Sequence, residues 1–270
     1  YGKMTIFESN HHSLELFFLD FYAQQAPVYS HVITHFVELC TPFFKKVKLL
    51  SEAKVITVDH NPRPIKGYPL KKKIEKKVKG FLYSKYIDEL IGVSNYTVEE
   101  IINDFGFQVK SKTKTIYNGV ISKDIKVRSN RALNKPTFLV ASHLRESKGI
   151  QDLIVAVQHL PLEIKDEIKI DIYGDGPYQN QLMEKIKKYQ LEDCFSFKGN
   201  QSSLNEIFSQ YDYMLQPTHM ECFSLSILES LAANVPVITT NVGGNEEAVI
   251  NAINGYIFKA NDSNALSKIL

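Results

Sequence analysis

Residues 221–247 read ECFSLSILESLAANVPVITTNVGGNEE, and they decide how the rest of the chain is read. The stretch runs from a loop into a short amphipathic helix, then a buried strand beginning at Pro236-Val237, a Gly243-Gly244 turn and the start of a second helix. Glu221 and Glu229 stand eight residues apart and flank the point where the first helix begins. The N–H groups of a helix's first turn are unpaired and its dipole is positive there, so that point suits an anion. A carboxylate repels a phosphate, so the two acids are expected to serve another part of the same ligand. Sugar hydroxyls fit, because a carboxylate accepts two hydrogen bonds from a diol and fixes its orientation.

Outward from this stretch, the second half alternates strands with helices. Strands are expected at 137–141, 168–173, 195–198, 213–216 and 237–239, with helices near 149–159, 178–189, 203–211 and 224–233. Such alternation predicts a parallel sheet with helices on both faces and ligand-binding loops beyond the carboxyl ends of the strands. The first half is less regular. Its expected strands are 4–8, 54–58 and 90–93, and its expected helices 28–46, 69–86 and 95–105. The polar stretch 122–135 reads as a linker. The fold class is therefore α/β, with one doubly wound domain over 1–121 and a second over 136–270.

In this setting Glu221, Phe223, Glu229, Pro236, Val237, Gly243, Gly244 and Glu247 resemble the signature of the retaining family-4 glycosyltransferases. Members have the GT-B fold, two Rossmann-like domains facing across a cleft. Ser224 and Asn234 stand where the family has glycines. Ser224 suits a helix N-cap, and Asn234 tolerates the left-handed conformation that ends a helix. Lys148-Gly149 matches the family's phosphate-clamping loop, in which His143 replaces an Arg and Arg145 is the nearest substitute.

The resemblance implies a donor site for a nucleoside diphosphate sugar. Glu221 would orient the sugar hydroxyls and Glu229 the ribose diol. Lys148 and the helix start at Leu225 would neutralise the diphosphate. Gly244 and Glu247 would close the pocket, Gly174 would lie near the donor, and Gly199 would meet the base. His60, after the 54–58 strand, would touch the transferring sugar. Ser94 reads as a helix cap, and His11 and His12 as loop residues. The implied reaction is retaining transfer of a hexose to a hydroxyl of a glycan or lipid-linked acceptor, as in polysaccharide biosynthesis. No cofactor is required, and no Asp-x-Asp pair occurs to hold a metal. Two alternatives share the fold: a sugar-nucleotide epimerase or phosphorylase, and a non-catalytic sugar-nucleotide-binding scaffold.

Composition bounds these readings. The 44% hydrophobic and 23% charged residues are those of a globular protein. Cys40, Cys194 and Cys222 are scattered and lack metal-ligand spacing, which points to a reducing, cytoplasmic setting. Residues 1–130 hold 20 Lys/Arg against 13 Asp/Glu, a net +7, and residues 131–270 hold 12 against 17, a net −5. The acidic second half and the lack of a recognition motif argue against nucleic acid.

Much of the positive excess lies in PLKKKIEKKVKGFLYSKY, with lysines beginning at Lys71 and ending at Lys79 in its first turns. Leu70, Ile74, Val78 and Leu82 recur there at four-residue spacing. That pattern predicts an amphipathic helix whose apolar stripe packs on the core and whose lysines face water. The alternative is a peripheral site on an anionic membrane surface. The chain begins at Tyr1 and stops at Leu270 inside a helical run, so both domains are expected to be incomplete.

Overall fold

The computed structural model describes residues 6–8, 13–25, 29–129 and 135–270. Contacts divide it into two units, the first holding most of residues up to Ile116 and the second holding Pro62–Gly67, Ser94–Tyr96 and Tyr117–Leu270.

The first unit runs α1 (Leu14–Gln25), β1 (His31–His35), α2 (Pro42–Leu50), β2 (Lys54–Asp59), α3 (Leu70–Tyr83), β3 (Glu89–Gly92), α4 (Asn95–Phe105, in this unit from Thr97) and β4 (Thr113–Thr115). Its four strands are all parallel, in the order β1-β2-β3-β4. Phe43, Phe44 and Val47 of α2 pack with Val55, Leu90, Ile101 and Phe105 to form its core.

Three expectations fail here. The helix expected over 28–46 is instead β1 followed by α2. His31-Val32-Ile33-Thr34-His35 alternates exposed and buried side chains, which is a strand pattern, and Pro42 opens the helix that follows. The strand expected at 4–8 is absent over its described part, 6–8. His11 and His12 lie outside the described residues.

The third failure concerns the lysine-rich helix. α3 forms as expected, but turned about its axis. Lys76 and Gly80 face inward, while Leu70 is 74%, Ile74 55%, Val78 50% and Phe81 78% exposed. Gly80 explains the turn. A Cβ there would stand 2.1 Å from the Phe105 carbonyl oxygen, so only glycine lets α3 approach the end of α4 this closely. Lys76 then lies beside Asp104 at 3.1 Å, with its Nζ over the rings of Tyr68 and Phe105. The apolar stripe is left facing outward.

The second unit contains β5 (Thr137–Ala141), α5 (Ile150–Gln158), α6 (Leu162–Lys165), β6 (Lys169–Tyr173), α7 (Gln179–Lys188), β7 (Phe195–Gly199), α8 (Leu204–Ile207), β8 (Tyr213–Gln216), α9 (Leu225–Ala232), β9 (Val237–Thr240), α10 (Asn245–Ala248), β10 (Gly255–Phe258) and α11 (Ser263–Ile269). Its six parallel strands are ordered β10-β9-β8-β5-β6-β7. Alternation along β5 feeds two cores. Phe138 and Val140 pack with α5 and α7, and Leu139 and Ala141 pack with Ile227 of α9 and Val249. Residues 122–129 are attached to this unit: Arg128 pairs with Asp212 at 2.5 Å, and its N–H donates to the Ala233 carbonyl.

Two mixed α/β units built on parallel sheets are thus present. Strand order in the second reverses between β5 and β8, and such a switch point opens a crevice beyond the carboxyl ends of those two strands. Among the described residues no helix is long and apolar enough to cross a membrane.

Candidate donor site

The loops leaving β5 and β8 flank the switch point, and together they carry Lys148 and Glu221. The first loop ends at Gly149, whose φ is +70°. A Cβ at Gly149 would come within 1.7 Å of the Pro217 carbonyl oxygen, so glycine is what lets the two loops touch. Ser147 then receives two bonds at its carbonyl, from the His219 N–H at 2.8 Å and from Thr218 Oγ1 at 3.1 Å. His219 Nε2 meets Asp152 Oδ2 at 2.6 Å, fastening the second loop to α5.

This arrangement brings Lys148 Nζ to 2.9 Å from Glu221 Oε2. The same carboxylate accepts from Gln216 Nε2 at 3.3 Å and from the Cys222 N–H at 3.1 Å. Ser224 Oγ accepts from the Ile227 N–H as the N-cap of α9 and donates to Gln216 Oε1 at 3.0 Å. The Ser224 hydroxyl therefore fixes which end of the Gln216 amide faces Glu221. Neither Gln216 nor this function of Ser224 is legible in the sequence. The N–H groups of Leu225 and Ser226, at the exposed start of α9, have no partner among the described residues.

Glu229 lies four residues along α9, half-buried and with no hydrogen-bond or ion-pair partner among the described residues. Burial alone raises its pKa above the ordinary carboxylate value. Phe223 is buried against Tyr117, with ring centroids 5.0 Å apart. The Gly244 N–H donates to the Cys222 carbonyl, which also receives Ser94 Oγ at 3.1 Å.

Glu247 is already occupied. Its carboxylate accepts from the N–H groups of Asn95 and Tyr96 at 2.8 and 2.9 Å and from Tyr117 Oη at 2.9 Å, all within the second unit. Gly174 and Gly199 adjoin at the ends of β6 and β7, joined by a 2.8 Å backbone bond. His143 is exposed, with Nδ1 3.6 Å from Asp175 Oδ1, and the Arg145 side chain is also exposed.

His60 belongs to the first unit, just after β2. Its Nε2 is 2.9 Å from His35 Nδ1, and the Phe36 ring stacks on it at 4.6 Å. Burial first, then His35, lowers its pKa, and Asp59 opposes them. His35 and Phe36 are not legible as site neighbours while residues 28–46 read as one helix. The alternation of His31 to His35 was the signal that marked them. Among the described residues no group of three or more His, Cys, Asp or Glu is placed to hold a metal ion.

Comparison with known proteins bears on the family and the fold. The chain is 31% identical over 126 residues to N-acetyl-alpha-D-glucosaminyl L-malate synthase of Bacillus anthracis, covering 47% of this chain and 32% of that protein. It is 29% identical over 176 residues to alpha-monoglucosyldiacylglycerol synthase of Streptococcus pneumoniae, covering 60% and 38%. The chain thus spans about a third of the length of these curated relatives. In fold it is similar to Anabaena Alr3699/HepE in complex with UDP-glucose, with a TM-score of 0.77 at 18% identity over 95% of this chain and 71% of that one. The family profile described as glycosyl transferases group 1 matches residues 122–270, more than half of the chain. The two parallel-sheet units are those of the GT-B fold, and the chain belongs to the glycosyl transferases group 1 family.

Proposed function

We propose that the chain carries the donor site of a retaining glycosyltransferase. It would move a hexose-type sugar from a nucleoside diphosphate to a hydroxyl of a glycan or lipid-linked acceptor. One observation carries this reading: Lys148, Gln216, Ser224 and Glu221 form a connected polar network at the switch point, beside the unpaired first-turn N–H groups of α9. HepE, solved with UDP-glucose, and the relative named as a glucosyldiacylglycerol synthase support the donor and acceptor classes.

In this reading the donor diphosphate takes Lys148 and the Leu225 and Ser226 amides, while Glu221 exchanges Lys148 for hydroxyls of the sugar. Cleavage of the glycosidic bond builds negative charge on the diphosphate and positive charge on the ring. Pre-placed donors at the diphosphate stabilise the first, so the step needs no metal. Glu229, unpartnered and half-buried, is suited to the ribose diol, which would repay its desolvation with two hydrogen bonds. Gly174, Gly199, Phe223 and Gly244 would shape the pocket, and His143 or Arg145 would add charge near the phosphates. Glu247 would contribute by bracing the loop from its present bonds. His60 would take part in transfer, its protonation set within its own unit by His35 and Asp59. Attack from the face that the leaving group vacates needs no protein nucleophile, and a donor phosphate oxygen would take the acceptor's proton. The place of action would be the cytoplasmic side of a membrane, peripherally.

A thermal-shift screen of nucleoside diphosphate sugars, followed by acceptor trials with the best binder, tests the reading. Transfer that is lost in Glu221→Ala with the fold intact supports it. Full turnover in that variant refutes the site.

A further inference from the structure

The outward turn of α3 gives the first unit a surface that packing does not explain. The helix is about 21 Å long. At about 100° per residue, Leu70, Ile74, Val78 and Phe81 fall on one stripe of its solvent side. Large apolar side chains grouped on exposed surface mark an interaction site more often than single ones do. Lys71 and Lys77 flank the stripe on either side, with Lys73 further round the helix; all three are exposed, and none has an ion-pair partner among the described residues. Glu75, at the flank, is neutralised by Lys72 and Lys79 at 2.9 and 2.8 Å, and Lys79 also holds Glu38.

We propose that this face of α3 docks on an anionic phospholipid bilayer. The apolar stripe enters the interface, and Lys71, Lys73 and Lys77 extend their ammonium groups to the lipid phosphates. Charge selects this occupant. A second copy of the chain, meeting this patch about a two-fold axis, would set the same three lysines against themselves. An anionic bilayer offers apolar depth and negative charge together. The proposal rests on the membrane-side acceptor only for its purpose, because docking itself needs neither donor nor acceptor.

The chain contains no tryptophan, so Ile74→Trp places a single fluorophore in the stripe. Its emission is expected to shift to the blue with phosphatidylcholine vesicles containing phosphatidylglycerol, and not with phosphatidylcholine alone. Leu162→Trp, exposed on α6 of the second unit, is expected to stay unchanged. Each basic residue near such a surface is worth roughly a factor of five in partitioning, so replacing Lys71, Lys73 and Lys77 with Gln weakens it about a hundredfold. Flotation of the unsubstituted chain with the same vesicles gives a second reading that no variant can compromise.

Absence of both the shift and flotation overturns the proposal, as does equal binding to neutral vesicles. A shift that grows with protein concentration without lipid also overturns it and assigns the face to self-association. Because no sugar nucleotide is present, neither result bears on the transfer reading.

Discussion

Replacing Lys148 with Met and Glu221 with Gln, singly and together, probes the ion pair at the centre of the site. The two charges stand 2.9 Å apart, with side chains 24% and 16% exposed. At an effective dielectric of about 20, two unit charges at that distance attract by roughly 6 kcal/mol. Desolvation of both groups offsets most of this. A coupling of roughly 1–2 kcal/mol is expected from urea unfolding of the four proteins in the cycle, within the usual range for touching residues. Transfer should respond differently. In the proposed site Lys148→Met would remove a cation from the leaving diphosphate, and loss of one such pre-placed donor costs roughly 10²–10³-fold in turnover. The double variant should lose less than the product of the single losses, because in the proposed site the two groups would act on one bound donor. Stabilities that add to within about 0.3 kcal/mol, with a rate loss below about tenfold for Lys148→Met, would refute the reasoning.

Other outcomes follow from the same geometry. Ser224→Gly removes the hydroxyl that donates to buried Gln216 and should cost about 1–2 kcal/mol, a fall in Tm of about 3–6 °C; an unchanged Tm would show that the bond contributes nothing. Burial raises the pKa of Glu229, so the native state holds that proton more tightly than the unfolded chain does, and stability is lost as pH rises through the raised value. Glu229→Gln should therefore raise Tm at neutral pH, make no difference below the unfolded carboxyl pKa, and weaken donor binding in calorimetry. A lower Tm at neutral pH would contradict the assignment. His35→Ala should move the His60 pKa upward in an NMR titration, since His35 is one cause of its depression. A pKa that stays or falls would remove His35 as the cause.

The second unit was legible because its strands and helices are spelled by separate signals. Runs such as Phe138–Leu139–Val140 mark buried strands, and the stripe of Leu153, Ile154 and Val157 marks a helix. β4, Thr113-Lys114-Thr115, has no apolar side chain to mark it, and β10 opens on Gly255 with Tyr256 exposed, so neither carries a buried apolar run. In the first unit, His31 to His35 alternates over only five positions beside a proline-led helix, and the two merged into one. The outward face of α3 was hidden for another reason. Periodicity finds an apolar stripe but does not say which side of the helix packs, and here a backbone contact at Gly80 decided it. Among the candidate site residues, Glu221 and Glu229 stand out by residue type and spacing, and Lys148 by the resemblance of its loop. The bridge from Ser224 through Gln216 to Glu221 does not, because it joins a strand end to a helix cap through side-chain orientation alone.

The most direct measurement is a crystal structure of this chain with the nucleoside diphosphate sugar that binds it best. The account predicts the diphosphate against Lys148 and the Leu225 and Ser226 amides, sugar hydroxyls on Glu221 in place of its present Lys148 contact, and the ribose diol on Glu229. A donor bound elsewhere, with the Lys148–Glu221 pair undisturbed, would contradict it.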